Sequence, residues 1–232
     1  MIVLEALDLS KVYRGGDGAE IVVLDGINLS VQRGEMMAIV GSSGAGKSTL
    51  LHLLGALDLP TRGTVKIADQ PTTGRSDEEL SELRNRSVGF VFQFHHLLRE
   101  FSALENVMMP MRIAGWDDRR ADARARDLLA RVGLSARTSH RPSELSGGEQ
   151  QRTAVARALA LDPAVLLADE PSGNLDHANS ERLHDLFVEL SRDLEIAMVI
   201  ATHNRSLAAR ADRTLTLEDG RLTETDVREV VP

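Results

Sequence analysis

A glycine-rich segment, Gly41 to Thr49, constrains the fold of this chain more than any other part of its sequence. An apolar run, Met36–Val40, precedes it and an apolar helical pattern follows it, so a strand, a tight loop and a helix are predicted in that order. Glycines let the N–H groups of such a loop face inward, and the helix that begins at Lys47 adds free N–H groups and the positive end of its dipole. The segment is therefore predicted to bind phosphate. Its residues are Gly41, Ser42, Ser43, Gly44, Ala45, Gly46, Lys47, Ser48 and Thr49.

Two side chains of this segment are predicted to act directly on a nucleotide. A lysine in the position of Lys47 reaches the β- and γ-phosphates of a nucleoside triphosphate. A hydroxyl in the position of Ser48 is a ligand for Mg²⁺. The sequence thus predicts a nucleotide site that works with Mg²⁺.

Composition limits the class of partner. The chain has 232 residues, a formal net charge of −8 and no cysteine. An acidic chain is poorly suited to the phosphates of nucleic acid, so no nucleic-acid partner is expected. Without cysteine there is neither a disulfide nor a thiolate metal site. The acidic start is unlike a signal peptide, and the longest apolar runs are far shorter than the ~18 residues that span a bilayer. A soluble, cytoplasmic protein is expected, with membrane contact only through partners.

Periodicity predicts an α/β fold with a helical insertion. Residues 2–9 and 20–31 have strand patterns and are predicted to be antiparallel strands at the edge of the sheet. From 102 to 160 the pattern is helical, without strand signals. We therefore expect a single domain over 1–232, with a helical subdomain over approximately 94–160 inside it.

Local signals mark several boundaries. Capping boxes, in which a serine is followed three residues later by a glutamate, predict helix starts at Ser76, Ser102 and Ser146. Residues 213–225 read as a hairpin with an Asp-Gly turn. Residues 226–232 are expected to be a loose tail.

Two features leave alternatives open. Tyr13, the only tyrosine, lies on a predicted loop, where its ring either stacks on an adenine or packs as a half-buried residue at a strand end. Phe92, Phe94, Phe101 and the methionines of 108–111 either form an exposed surface for a partner helix or pack in the core.

Four further positions are candidates for the chemistry. Asp169 and Glu170 end a buried apolar strand, where an aspartate holds Mg²⁺ and a neighbouring glutamate polarises a water molecule. Gln93 and His203 also end strands, although such residues alone are more often structural.

A second helix start that is suited to an anion is formed by Ser146, Gly147, Gly148 and Glu149. A simple capped helix explains its serine and glutamate but not its two glycines, which destabilise a helix start by about 1 kcal/mol each.

Taken in order, these motifs resemble those of ABC-type ATPases, the nucleotide-binding subunits of ATP-binding-cassette systems. They comprise the phosphate loop, Gln93, Leu145-Ser-Gly-Gly-Glu-Gln150, Asp169-Glu170, Ser172-Gly-Asn-Leu-Asp176 and His203. The match covers nearly the whole chain, and no Asn-Lys-x-Asp pattern for reading guanine is present. The resemblance implies an α/β P-loop NTPase fold with an ABC ATPase core, an antiparallel β edge and an inserted α-helical subdomain.

The resemblance also implies ATP as cofactor and a homodimer of two subunits paired head to tail. ATP is then held between the phosphate loop of one subunit and the signature residues of the other, which are Ser146, Gly147, Gly148 and Glu149. Gln93 contacts Mg²⁺ and the attacking water, Glu170 is the general base, and His203 holds the γ-phosphate. The remaining implied roles are the metal ligands Ser48 and Asp169, the adenine-stacking Tyr13, and Asp176 at the dimer seam.

A finer resemblance points to the ATPase subunits of lipoprotein-releasing Lol systems. It rests on Phe92–Leu98, Ala103–Val107 and His140–Glu144, together with Met36–Gly44 and its continuation. It implies integral membrane permease subunits as partners, a peripheral position on the cytoplasmic side of the bacterial inner membrane, and release of acylated lipoproteins. Export of macrolides or peptides and a non-transporting role in cell division remain alternatives.

The chain departs from the family pattern at two places. Arg99-Glu100 stands where a proline-containing pair is expected, and Asn204 follows the histidine where aspartate is usual. Neither change removes a catalytic group.

Overall fold

The structure, a computed structural model, describes residues 1–16 and 18–225. Within these residues the chain forms ten strands and seven α-helices. The strands are β1 (Ile2–Arg14), β2 (Glu20–Gln32), β3 (Met36–Val40), β4 (Arg62–Ile67), β5 (Gln70–Pro71), β6 (Val88–Phe92), β7 (Val165–Asp169), β8 (Ala197–Ala201), β9 (Arg213–Glu218) and β10 (Arg221–Thr225). The helices are α1 (Lys47–Leu54), α2 (Asp77–Ser87), α3 (Ala103–Ile113), α4 (Asp118–Arg131), α5 (Gly147–Ala158), α6 (His177–Leu194) and α7 (Arg205–Ala208).

The central sheet has six strands in the order β10-β9-β3-β8-β7-β6. Its pairs from β9 to β6 are parallel, and only β10 is antiparallel, paired with β9 through the predicted hairpin. The central strands are covered on both faces, which is why they read as continuous apolar runs rather than as alternating patterns.

Each face of this sheet carries its own core. In β8, Ala197 and Val199 face one apolar cluster while Met198 and Ile200 face the other. The first cluster joins the sheet to α1 and to the antiparallel strands, and the second joins it to α3, α4, α5 and α6. Burying each leucine or isoleucine of these clusters contributes about 1.5–3 kcal/mol. The two cores therefore fix the central strands, whose ends carry the candidate site.

The strands predicted at the edge of the sheet instead form a separate sheet, in the order β2-β1-β4-β5. The first of them is also longer than predicted. Its continuation to Arg14 pairs with β2, with register shifts on both sides of Lys11, up to Arg14 opposite Glu20. This hairpin pairing with the next strand makes Lys11 to Arg14 strand rather than loop, although its residues lack a clear alternating pattern.

The helices begin where local capping signals predict. Ser76, Ser102 and Ser146 each accept a hydrogen bond from the N–H of the glutamate three residues later, and that glutamate bonds back to the serine N–H. Each cap satisfies N–H groups that lack a partner within the helix. The predicted tail at 226–232 lies outside the described residues.

The methionine and phenylalanine cluster divides between core and surface. Met108 and Met111 on α3 are buried in the second core, whereas the Phe94 side chain is 66% exposed. Core packing therefore accounts for these two methionines. No helix in residues 1–16 and 18–225 is long and apolar enough to cross a bilayer.

Candidate active site

The predicted site residues follow four strands that end at one edge of the central sheet. The glycine-rich loop follows β3, Gln93 follows β6, Asp169 and Glu170 end β7, and His203 lies just after β8. Because these strands are parallel, their carboxyl ends meet at the edge where α/β sheets bind ligands. A cleft of about 710 Å³ opens there. It is lined by Val23, Ser43, Gly44, Gly46, Lys47, Ser48, Thr49, Gln93, Asp169, Glu170 and His203.

The loop wraps around the Lys47 side chain. Its ammonium donates to the carbonyl oxygens of Gly41 at 2.8 Å and Ser42 at 3.0 Å, and the side chain is buried. Gly46 precedes the helix with φ of 101°, and a Cβ there would lie 3.0 Å from Val23 Cγ1. Only glycine meets both conditions without strain. The first turn of α1 thus directs free N–H groups at the cleft, with a lysine charge beside them.

Glu170 and His203 contact each other directly. Glu170 Oε1 lies 2.9 Å from His203 Nδ1, and Oε2 accepts from the His203 backbone N–H at 3.2 Å. Glu170 also has a positive φ of 46°, which is uncommon for a residue with a side chain and clusters at functional sites. The backbone N–H of Glu170 donates to Ala201, so the ends of β7 and β8 hold this turn together.

Three oxygen-bearing side chains in the cleft fit a magnesium ion. Ser48 offers a hydroxyl, Asp169 a carboxylate and Gln93 an amide oxygen, and all three line the cleft with Lys47. Among the described residues, no group of three or more His, Cys, Asp or Glu side chains would hold a metal. Mg²⁺ suits such a site because it is usually bound by one or two protein oxygens together with substrate phosphates.

The signature segment at the start of α5 does not line this cleft. Ser146 caps the helix, and Glu149 bonds back to the Ser146 N–H at 2.8 Å while Arg137 donates to its other oxygen at 2.9 Å. These hydrogen bonds lower the pKa of Glu149 to about 2. Packing explains one of the two glycines, because a Cβ on Gly148 would lie 2.6 Å from Asn179 Oδ1. A Cβ on Gly147 would meet only Leu175, at an ordinary 3.7 Å, so packing within the chain does not require that glycine.

Tyr13 lies on β1 rather than on a loop, and it does not line the cleft. Its ring is 40% exposed, and its hydroxyl donates to Asp58 Oδ2 at 3.0 Å. Lys11 donates to Asp58 Oδ1 at 2.8 Å and lies 4.9 Å from the centre of the Tyr13 ring. Burial alone would raise the pKa of Asp58, but the hydrogen bonds from Lys11 and Tyr13 outweigh it and hold the pKa below its usual value. This cluster joins β1 to the segment after α1.

Sequence patterns did not single out Asp58 or Asn174. Asp58 comes from an unremarkable turn, and Asn174 lies inside the Ser172–Asp176 turn as one polar residue among several. In the structure, Asn174 forms two hydrogen bonds with Gln93, 81 residues away. The predicted seam residue, Asp176, caps α6 through the N–H of Asn179 at 2.8 Å and does not line the cleft. Gly41, Ser42 and Ala45 likewise lie outside its lining.

Comparison with known proteins shows the family to which this chain belongs. A family model described as ABC transporter matches residues 24–173. The lipoprotein-releasing system ATP-binding protein LolD of Bordetella pertussis is 55% identical over 219 residues, which is 94% of each chain. The protein of the same name in Ruegeria pomeroyi is 56% identical over 215 residues, covering 93% of this chain and 94% of the relative.

The fold of the chain also matches solved structures of ATP-binding cassettes. The dimeric ATP-binding cassette MJ0796, in a post-hydrolysis state bound to ADP and Pi, matches with a TM-score of 0.87 and 36% identity, over 97% of this chain and 99% of that chain. A second dimeric structure of MJ0796, described as a bacterial ABC transporter cassette, matches with a TM-score of 0.88. These matches confirm the resemblance and the fold class that the motifs predict. The chain belongs to the ABC transporter family, as one of its ATPase cassettes.

Proposed function

We propose that this chain drives the release of acylated lipoproteins from the bacterial inner membrane by hydrolysing ATP. The observation that carries the ATPase part is the cleft where Lys47, Glu170 and His203 converge at one sheet edge. The substrate class rests on relatives named for lipoprotein release, which match over almost their whole length.

The proposed mechanism assigns tasks to the residues of the cleft and to Tyr13, which lies outside its lining. Lys47 and the N–H groups of the loop bind the β- and γ-phosphates, and Tyr13 stacks on adenine. Ser48, Asp169 and Gln93 would hold Mg²⁺, which when bound neutralises negative charge on the phosphate oxygens. Glu170 takes a proton from the attacking water.

His203 supports this chemistry in two ways. Its Nδ1 contact with Glu170 Oε1 holds the carboxylate at the cleft, and Nε2 donates to the γ-phosphate when the ring carries both N–H groups. Fixed donors of this kind stabilise the charge that develops on the phosphoryl oxygens.

The proposed working unit is a homodimer. Ser146, Gly147 and Gly148 lie outside their own cleft, so they are available to bind the nucleotide of a second copy. The exposed start of α5 is suited to a phosphate through its backbone N–H groups and the positive end of its dipole. The similar cassette MJ0796 is dimeric in two solved structures.

We further propose that permease subunits bind this chain at the cytoplasmic side of the bacterial inner membrane. An open, largely apolar groove of about 430 Å³ lies between α2, β6, α3 and the end of α5, next to Leu57. Leu57 and Ile113 on its walls are 46% and 70% exposed. Such a groove suits the apolar face of a short partner helix.

The test is reconstitution. The chain should co-purify from detergent-solubilised membranes with permease subunits, and the complex in vesicles should release acylated lipoprotein when ATP and Mg²⁺ are added. A Glu170→Gln complex is the matched control and should release none. Co-purification with regulators of cell-wall hydrolases, or release of a macrolide or peptide instead, would contradict the substrate assignment but not the ATPase mechanism.

A further inference from the structure

Gln93 and Asn174 form a reciprocal pair at the rim of the cleft. Asn174 Nδ2 donates to the backbone carbonyl oxygen of Gln93 at 3.1 Å, and Gln93 Nε2 donates to Asn174 Oδ1 at 3.0 Å. Gln93 lines the cleft, whereas Asn174 belongs to the turn between β7 and α6. The pair therefore connects the ends of two neighbouring strands, β6 and β7.

The donor and acceptor roles in this pair fix the orientation of the Gln93 amide. A backbone carbonyl oxygen only accepts hydrogen bonds, so the amino group of Asn174 must face it. The Asn174 oxygen is then directed at the Gln93 side chain, which must present its own amino group. A flipped Gln93 amide would set two oxygens against each other. Gln93 Oε1 is consequently the atom without a hydrogen-bond partner in the part of the chain that the structure describes.

The surroundings leave this side chain few alternatives. A Cβ on Gly173 would lie 2.9 Å from Gln93 Nε2, so the turn approaches the amide this closely only because residue 173 is glycine. The backbone on either side of Gln93 is held to α5. Gln151 donates to the Phe92 carbonyl oxygen at 3.1 Å, and Arg157 donates to that of His95 at 2.8 Å. Helix α5 thus holds the backbone next to Gln93, and Asn174 determines the orientation of the Gln93 side chain.

We propose that Asn174 is a positioning residue that turns the oxygen of Gln93, rather than its amino group, toward the metal position in the cleft. The distinction matters because a carbonyl oxygen is a ligand for Mg²⁺ and an amide nitrogen is not. This inference rests on the proposed role of Gln93 as a Mg²⁺ ligand.

The test measures the coupling between Mg²⁺ and nucleotide binding, without turnover. The affinity of the full chain for adenylyl imidodiphosphate, an ATP analogue that resists hydrolysis, is measured by calorimetry with Mg²⁺ and with a chelator. Asn174→Leu should leave the affinity in chelator unchanged and lower the affinity in Mg²⁺ by about three- to tenfold, the scale of one hydrogen bond or ligand contact. Gln93→Ala should do the same, and the double variant should be no worse than either single one.

Asn28→Ala is the matched control. Asn28 also accepts from one backbone N–H, of Asp8 at 3.0 Å, and donates to one backbone carbonyl oxygen, of Gly26 at 2.9 Å. It should lose comparable stability in thermal unfolding and keep the full Mg²⁺ effect.

Three outcomes would overturn the inference, and the failure of the Asn174 role is distinguishable from the failure of the Gln93 role. If Gln93→Ala reduces the Mg²⁺ effect but Asn174→Leu does not, or if the two losses add in full, Asn174 does not act through Gln93 while the role of Gln93 stands. If Gln93→Ala leaves the Mg²⁺ effect intact, the proposed metal ligand itself is wrong, and the positioning role of Asn174 is overturned with it.

Discussion

At the scale of single residues, the contact between Glu170 and His203 decides how the cleft can work. Both carboxylate oxygens of Glu170 receive a contact from the same histidine, one from the ring and one from the backbone N–H. A carboxylate has further lone pairs beyond these two bonds, so it keeps the capacity to accept a proton from a water in the cleft. The histidine therefore orients the proposed base without occupying it.

The first prediction concerns this base. Glu170→Gln keeps the shape of the side chain and removes its capacity to take a proton, so hydrolysis should fall by about a hundredfold or more while ATP affinity stays within a few-fold. Single-turnover hydrolysis and equilibrium ATP binding, measured on the same preparation, check this. Near-normal turnover would rule out Glu170 as the base.

The second prediction concerns the cluster of Asp58, Lys11 and Tyr13. Asp58→Ala frees the tyrosine hydroxyl, so the ring loses its fixed orientation and ATP affinity should fall by roughly three- to tenfold, part of the 1–3 kcal/mol that a stacked base contributes. Affinity for tripolyphosphate, which has no base, should not change. Calorimetry with both ligands makes the comparison.

Glu82→Ala is the control for removing an acid. Glu82 forms an exposed pair with Arg86, so its loss should affect neither ligand. An equal loss of affinity for ATP and tripolyphosphate in the Asp58 variant would mean that the cluster supports the phosphate loop rather than the base.

At the scale of elements, signals within one segment were predictable and pairings between separate segments were not. The three capping boxes depend on residues three positions apart, and each forms in the structure as predicted. The extension of β1 to Arg14 depends on β2 and the joining of β4 to β1 on a segment further along, which no local pattern encodes. The same limit applies in the site. Strand ends revealed Asp169 and Glu170, whereas the partner of Gln93 lies 81 residues away.

The third prediction belongs to the capped start of α5. Because hydrogen bonds from Ser146 and Arg137 hold the pKa of Glu149 at about 2, below its usual value of 4.5, its charged form is favoured by folding. That stability is fully present above about pH 5 and is lost as the pH falls toward 2. Glu149→Gln still accepts from the Ser146 N–H but lacks the charge, so it should cost about 1–2 kcal/mol in unfolding free energy at pH 7, the difference between charged and neutral hydrogen bonds.

The pH dependence is the sharper part of this prediction. The difference between the parent chain and Glu149→Gln should shrink from pH 6 to pH 3.5, because the glutamate of the unfolded chain takes up a proton over this range while the native carboxylate stays charged. Denaturant unfolding at several pH values measures it, with Glu82→Gln as an exposed control that should cost less than about 0.5 kcal/mol. A difference that stays constant with pH would contradict the pKa of Glu149.

At the scale of the whole molecule, the chain has two helix N-termini that are suited to binding phosphate, and they do not line the same cleft within one copy. One begins at Lys47 and lines the cleft, and the other begins at Gly147 and does not. In the head-to-tail pair that we propose, the start of α5 in one copy lies at the nucleotide bound in the cleft of the other. Packing within the chain does not require a glycine at position 147. A substitution there can therefore test dimer formation separately from the stability of the single chain.

The last prediction uses that property. Gly147→Arg should fold about as well as the parent chain, since the gain of about 0.5–1 kcal/mol from replacing a helical glycine offsets the similar cost of a cation at a helix N-terminus. Its side chain would nevertheless project from the helix start where the second nucleotide binds, so ATP should no longer drive dimer formation. Sedimentation of the Glu170→Gln chain with and without ATP provides the reference, and Ser135→Arg, at an exposed position, is the control that should still dimerise. If the Gly147→Arg chain binds ATP and dimerises like the reference, the start of α5 does not face the partner's nucleotide. If it stays monomeric with unchanged ATP affinity and thermal stability, assembly rather than folding explains the glycine.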